Sequence, residues 1–446
     1  APNRGFHARP RGRSYVNVDI SSTQITFPSR PATTTIASDA GEVSTESIRV
    51  LVFSTIAFTV FFAVWVMFSI VGLPLRTELG LSDSQFALLA AIPILTGSVL
   101  RVPVGMLTDK LGGRVMMTSL LVLVAVPAYL ISRADSYDEL LVLAFILGLA
   151  GTSFAIGIPW VSAWYPSQHQ GAALGVFGMG NVGASITKML APALVTMVAA
   201  GGALGGLVPG GWRFVPFAYS ILLLITALLI WVVVPRHDRH PARGRTIRDM
   251  SRPLVHVRVW RFGFYYVVVF GAYVALALWL PKYYVDVYDL TLAQAGMLTA
   301  LFIFPASLLR PLGGWMSDRL GPRRVTAASF SIIAGASLAL SFPLDVRSFT
   351  LLVLTIGIGM GIGKASVYTY IPQYFPSDVG AVGGLVGAVG GLGGFVLPLL
   401  FAWALAETGE PQSTFYVMFA LAVVSLLMLG IAVLHIVSEQ HHHGEM

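Results

Sequence analysis

From residue 50 onward, long apolar runs alternate with short polar breaks, near 50–74, 84–107, 115–132, 139–165, 171–200, 214–235, 261–284, 293–317, 325–343, 349–375, 380–405 and 414–437. Each run is near or above the roughly 20 residues with which a helix crosses a bilayer core. None shows the alternating segments of about ten residues that make an outer-membrane barrel. The pattern predicts an all-α membrane protein with twelve transmembrane helices. Polar stretches bound these runs. Residues 1–47 hold Arg4, Arg9, Arg11, Arg13 and Arg30 among Pro, Ser and Thr without an apolar h-region, so they read as a basic tail and not a secretory signal. A basic linker occupies 236–260, and 438–446 is a tail whose His441–His443 run reads as solvated and not as a metal site.

The chain repeats itself. Ser98–Arg114 (SVLRVPVGMLTDKLGGR) lies over Ser307–Arg323 (SLLRPLGGWMSDRLGPR) without a gap, so that Arg101 meets Arg310, Gly105 meets Gly314, Asp109 meets Asp318 and Arg114 meets Arg323. Helix two therefore corresponds to helix eight. The chain divides into two pseudo-symmetric six-helix bundles, 48–235 and 261–437, a plan in which substrate binds between the halves near mid-membrane. The paired G-x-x-x-D-(K/R)-x-G-x-R motifs resemble the helix 2–3 and helix 8–9 signatures of the major facilitator superfamily, which implies that fold. Physically they read as a latch, with Arg114 and Arg323 among its members: Gly105 and Gly314 let helices approach, while Asp109 and Asp318 at the helix ends can pair with basic groups in one conformational state.

Charge follows the same architecture. If both termini share a side, that side holds nineteen of the 28 Lys and Arg residues, including eight arginines from Arg236 to Arg261. The opposite side keeps Arg76, Arg133, Arg213, Lys282 and Arg347. The positive-inside rule then puts the tails and linker in the cytoplasm; the membrane expected, on the family resemblance given below, is the inner membrane of a prokaryote. The net charge of +7 is thus a matter of topology, and the linker lacks the interleaved aromatics and fold of a nucleic-acid site. With 56% hydrophobic and 11% charged residues the composition agrees with a membrane protein. Cysteine is absent, which excludes disulfides, thiol catalysis and Cys-ligated metals. No HExxH helix, Cys–His pair or carboxylate pair suggests an enzyme, and no cofactor is expected.

What remains inside the membrane is cationic. Arg101, Lys188, Arg310 and Lys364 fall within spans, whereas every acid can be placed in a tail, loop or helix end. A charged side chain at the centre of a span costs about 2.5–3.5 kcal/mol on insertion scales and is normally functional. Such an interior suits an anion. Arg101 and Arg310 each precede their Asp by eight residues, about 12 Å along a helix, and the planar guanidinium fork suits a small planar oxyanion. Each arginine could instead tie helices together through backbone carbonyls. Glycines crowd helix five (Gly171, Gly175, Gly178, Gly180, Gly183) and helix eleven (eight within Gly380–Gly394), a pattern that first serves close helix packing.

Together these residues resemble the NarK-type nitrate/nitrite porters, over about residues 50–437, supported by Gly151-Thr-Ser-Phe154-Ala and Gly363-Lys364-Ala-Ser-Val-Tyr368-Thr-Tyr-Ile371-Pro372. The resemblance implies that Arg101 and Arg310 grip nitrate while Phe154 and Tyr266, with Phe270 one turn on, sandwich it. Gly180-Asn181-Val-Gly183 with Thr187-Lys188 is closer to the proton-coupled uptake branch. Phe177 stands where exchange-type members carry an asparagine, leaving Asn181 as the substitute. Thr369 stands where the proton-coupled branch has a basic residue. The expected activity is nitrate import by alternating access with proton symport, by a monomer in the lipid bilayer that also takes nitrite. The alternatives are nitrate/nitrite antiport, transport of another small anion, or an anion sensor. Arginine cannot release a proton, so Lys364 and Lys188 are the candidate coupling groups. Lys364, opposite Phe154, is preferred, because Lys188 lies about 25 Å from the cytoplasmic end and can snorkel outward.

Overall fold

The computed structural model describes residues 15–20, 23–28 and 43–444. The chain forms two units divided after Glu42. The first holds an antiparallel hairpin, Tyr15–Ile20 with Thr23–Pro28, in a stretch read from sequence only as a polar tail. The tail arginines Arg4, Arg9, Arg11, Arg13 and Arg30 lie outside the described residues.

The second unit is helical, and its pieces group into twelve spans among the described residues. They are α1 (Thr45–Trp65 and Phe68–Leu79), α2 (Asp83–Val99 and Arg101–Leu111), α3 (Gly113–Ile131), α4 (Tyr137–Leu147, Gly148–Thr152 and Ser153–Trp164), α5 (Gln170–Gly178, Met179–Val182 and Gly183–Met197) and α6 (Phe214–Val233). After a linker containing the short helix Ile247–Ser251 come α7 (Val257–Tyr266, Val267–Gly271 and Ala272–Tyr288), α8 (Leu292–Leu308 and Arg310–Leu320), α9 (Pro322–Leu340), α10 (Val346–Tyr374), α11 (Val379–Thr408) and α12 (Ser413–Gly444). Among the described residues nine helices are long and apolar enough to cross a membrane, and α2 makes a tenth if its two pieces, bent by 44°, count as one. The others are α5, interrupted by a 3₁₀ turn, and α9, diluted by Ser, Ala and Gly. Helix α12 runs on through 438–444, assigned from the pattern to a tail, and the side chains of His441–His443 lie outside those described.

The internal repeat extends beyond the loop motif. Ser82 opens α2 with a capping box to Gln85, and Thr291 opens α8 with the same box to Gln294. In both spans the N-cap hydroxyl accepts the N3 amide and the glutamine accepts the N-cap amide, which fixes where the helix begins. The two helices also break alike, after Leu100 and after Leu309. Proline explains both: Pro103 and Pro311 have no N–H to offer the carbonyls four residues back, so the ladder is interrupted there. Arg101 and Arg310 are the first residues beyond the breaks.

Candidate site between the two halves

Apart from Lys364, which lies within the unbroken α10, the proposed site residues sit where helices depart from regularity. Phe154 follows the 3₁₀ turn Gly148–Thr152 of α4, Asn181 lies in the 3₁₀ turn Met179–Val182 of α5, and Phe270 lies in a π-helical turn of α7 directly after Tyr266. Such interruptions free carbonyls from the helical ladder and redirect side chains, and π turns often mark functional positions.

The two arginines are buried, Arg101 at 2% exposure and Arg310 at 0%. Their surroundings differ. The Arg101 Nε donates to the Gly151 carbonyl of α4 at 3.0 Å and Nη1 to the Gly387 carbonyl of α11 at 2.6 Å. Its guanidinium carbon also lies 5.7 to 5.9 Å from the ring centres of Trp65, Phe154 and Phe270. Arg101 thus does tie helices together through carbonyls. None of the three Arg310 nitrogens makes a hydrogen bond of ordinary geometry, the Tyr266 hydroxyl at the edge of the fork being the polar group beside it, and its guanidinium carbon stands 5.3 Å from the centre of the Phe154 ring. An alanine methyl at Gly178 would come within 2.3 Å of that guanidinium, so the glycine is what admits it.

The aromatic residues form a continuous stack. Phe154 and Tyr266 are parallel within 10° with centres 6.3 Å apart, and Tyr266 and Phe270 are parallel within 10° at 5.0 Å. Tyr368 stands edge-on to both Phe154 and Tyr266, at 4.9 and 4.7 Å, and its hydroxyl donates to the Gly383 carbonyl at 2.9 Å. Phe177 stacks on Phe154 at 5.7 Å and Phe58 at 4.9 Å, filling the volume with ring carbon. Asn181 is buried with neither amide atom partnered. Lys364, fully buried, donates to the Ala306 carbonyl at 2.9 Å, and its Nζ sits 3.1 Å from the centre of the Tyr273 ring. Thr369 uses its hydroxyl on the Ala365 carbonyl of its own helix.

The sequence offered no role for Trp65, Tyr273 or Tyr368. Aromatic residues in an apolar helix carry no signal that separates lining from packing; only the fold brings these three to the arginines and Lys364.

Toward the linker side the halves seal. The Asp109 carboxylate at the end of α2 accepts the Gly380 amide at the start of α11 at 2.9 Å. The Asp318 carboxylate at the end of α8 accepts the Gly171 and Ala172 amides at the start of α5 at 2.8 and 2.7 Å. The sequence allows the aspartates to pair with basic groups in one conformational state; in the state seen here their partners are backbone amides. A helix start presents unpaired N–H groups and a positive dipole end, which is what a carboxylate completes. Arg114 and Arg323 point elsewhere: Arg114 packs on Trp231 and donates to its carbonyl at 2.6 Å, and Arg323 donates to the Tyr374 hydroxyl. The glycines allow this approach. A Cβ at Gly105 would fall 2.1 Å from the Gly380 oxygen, and one at Gly314 would fall 1.9 Å from the Gly171 oxygen. Beneath the seal, linker residue Asp238 accepts the indole N–H groups of Trp160 and Trp164 and the Arg114 amide, while Ala242 donates its amide to the Asp109 carbonyl.

On the far side a cavity of about 300 Å³ opens between the outer halves of α1, α2, α5, α7, α8 and α11. Trp65 and Tyr273 belong both to its wall and to the shell around Arg101 and Lys364. Lys188 lines this cavity, away from the arginines.

A family model described as Major Facilitator Superfamily matches residues 53–297 and 288–444. The chain is 55% identical over 417 residues to a protein of Thermus thermophilus named probable nitrate/nitrite antiporter NarK1, covering 89% of this chain and 94% of that one. It is 32% identical to the nitrite extrusion protein of Bacillus subtilis, over 82% of this chain and 90% of that one. It is 30% identical to the probable nitrate transporter NarT of Staphylococcus carnosus, over 85% and 94%. Among solved structures, FucP in its outward conformation superposes with a TM-score of 0.69 at 16% identity, over 86% of this chain and 99% of that one.

Proposed function

This chain belongs to the Major Facilitator Superfamily, among its NarK-type nitrate/nitrite porters, and from that premise we propose that it imports nitrate through the site between its halves. The observation that carries the reading is Arg310: a buried, permanently charged fork that no carbonyl or carboxylate engages, with only the Tyr266 hydroxyl at its edge, over the face of Phe154 and beside the parallel ring of Tyr266. The Arg310 fork, with the remaining donors of Arg101 beside it, suits an oxyanion, and two parallel aromatic faces suit a flat one. A planar group between two rings needs about 3.5 Å on each side, so these faces, nearly parallel with centres 6.3 Å apart, must part to admit one. Nitrate and nitrite have that shape and charge, and the curated relatives are named for them.

The proposed orientation follows the charge: the basic linker side is cytoplasmic, with both termini, and the chain spans the inner membrane of a prokaryote. One chain holds both arginines and both aromatic faces, which supports a functional monomer. Coupling is proposed at Lys364. A protonated Lys364 satisfies the Ala306 carbonyl and the Tyr273 face, and an anion arriving at Arg310 would add a reason for it to hold its proton, so proton and nitrate would bind together. A second reading, nitrate/nitrite exchange, is favoured by the name of the Thermus relative. Nitrate uptake into proteoliposomes separates them: accumulation driven by a proton gradient alone supports symport, accumulation only with internal nitrite supports exchange, and saturable binding without flux would overturn transport.

A further inference from the structure

Helix α5 carries more polar residues toward the far-side cavity than the site uses. Gly178, Asn181, Ser185 and Lys188 recur at spacings of three and four and share one face, the face opposite Gly183 and Thr187, which pack on α1. At the inner end Gly178 admits the Arg310 guanidinium. At the outer end Ser185 and Lys188 line the cavity, ten residues or about 15 Å from start to finish. Every polar group on this stripe lacks a partner among the described residues. Both amide atoms of Asn181 and the Ser185 hydroxyl are buried and unpaired, and the Lys188 ammonium makes no hydrogen bond or ion pair. Buried polar groups ordinarily find partners; two successive exceptions, Asn181 and Ser185, lead from the exposed Lys188 ammonium at the cavity wall to the Arg310 guanidinium, which is hard to reconcile with a packing role.

We propose that Lys188 and Ser185 form an outer anion subsite, from which a monovalent oxyanion descends the α5 face past Asn181 to Arg310. The argument rests on the anion-carrying reading above. The cavity is otherwise walled by apolar residues, Phe68, Ile303 and Phe395 among them, so the single ammonium dominates its field. In a cleft with low-dielectric walls one charge can raise the local concentration of counter-ions tenfold or more. Ser185 supplies a hydroxyl donor one turn deeper, and Asn181 an amide donor one turn beyond that. Trp65 and Tyr273 mark the boundary between this subsite and the inner one, since each touches both.

The absence of cysteine makes a direct test available in the full chain reconstituted in proteoliposomes. Ser185→Cys introduces the only thiol, reacted from outside with an anionic (sulfonatoethyl) or a cationic (trimethylammonioethyl) methanethiosulfonate. The anionic reagent should react about tenfold faster, nitrate should slow it, and adding Lys188→Gln should bring the two rates together. This readout does not depend on which anion is transported, so it stands apart from the nitrate reading. In uptake from the far side, Lys188→Gln should raise KM several-fold, more than it lowers kcat, and Lys188→Arg should restore KM. A thiol at 185 that reacts with neither reagent, or a rate ratio indifferent to Lys188, would overturn the subsite and leave Lys188 a lipid-facing anchor. Wild-type vesicles that take up no nitrate while the rate ratio still depends on Lys188 would instead overturn the assigned substrate and keep the subsite.

Discussion

Arg101 and Arg310 hold equivalent places after equivalent helix breaks, yet only Arg101 spends its donors on backbone carbonyls. Replacing each with lysine keeps the charge and removes the planar fork. Arg310→Lys should lower nitrate affinity at least tenfold with the folded protein intact, as read by equilibrium titration and by melting temperature. Arg101→Lys should lose most transport and also some stability, because it gives up ties to α4 and α11. Near-normal uptake by either well-expressed variant would remove the arginines from the site. Lys364→Gln keeps a donor for the Ala306 carbonyl but nothing that titrates, so it should abolish proton-driven accumulation while nitrate exchange persists. If that variant still accumulates nitrate with unchanged proton flux, coupling lies elsewhere. The arginines were legible in the sequence because charge inside an apolar run is rare and because they recur. Trp65, Tyr273 and Tyr368 were not, since their neighbours come from distant helices and nothing local distinguishes them from packing aromatics.

At the scale of helices, the seal is two crossings built to one plan: a glycine of α2 on a glycine of α11, and a glycine of α8 on a glycine of α5, each finished by an aspartate on a helix start. Gly105→Ala would place a methyl 2.1 Å from a backbone oxygen that cannot turn aside, so α2 and α11 must separate. In that background a thiol at Ala381→Cys, buried under the crossing, should react with a membrane-impermeant reagent applied on the linker side, whereas alone it should stay protected. Equal protection in both would show that the helices tolerate the methyl. Asp109→Asn and Asp318→Asn remove the charge and keep an acceptor, a change of the size of a weakened helix cap, about 0.5–2 kcal/mol. Each should slow turnover while nitrate affinity stays within a few-fold; a large affinity loss with turnover intact would reverse the assignment. The repeat announced these crossings from sequence, and the small residues announced close packing. Which helix each aspartate would cap was not legible, because the partner amide belongs to backbone far along the chain and any residue could have supplied it.

Across the whole molecule the hydrogen bonds described between the two halves lie at Arg101 and on the linker side, and the far-side contact is apolar. The twelve spans were readable because hydrophobic run length is set by the bilayer itself, whereas the helix breaks at Leu100 and Leu309 needed the local proline chemistry and the fold together. One consequence of the sealed linker side is kinetic rectification. Three carboxylate–amide bonds, at about 1.5–3 kcal/mol each before the cost of drying the groups, need leave only about 3 kcal/mol to hold the empty carrier facing outward some hundredfold more often than inward. Substrate arriving from the cytoplasm then meets a competent carrier only in that minor fraction, and its half-saturating concentration is multiplied accordingly, while outside substrate is spared the factor. Nitrate flux measured in both directions across vesicles of known orientation should show a KM from the linker side tens of times higher than from the far side. The double variant Asp109→Asn with Asp318→Asn should bring the two values toward each other, turning a valve into a door that swings both ways.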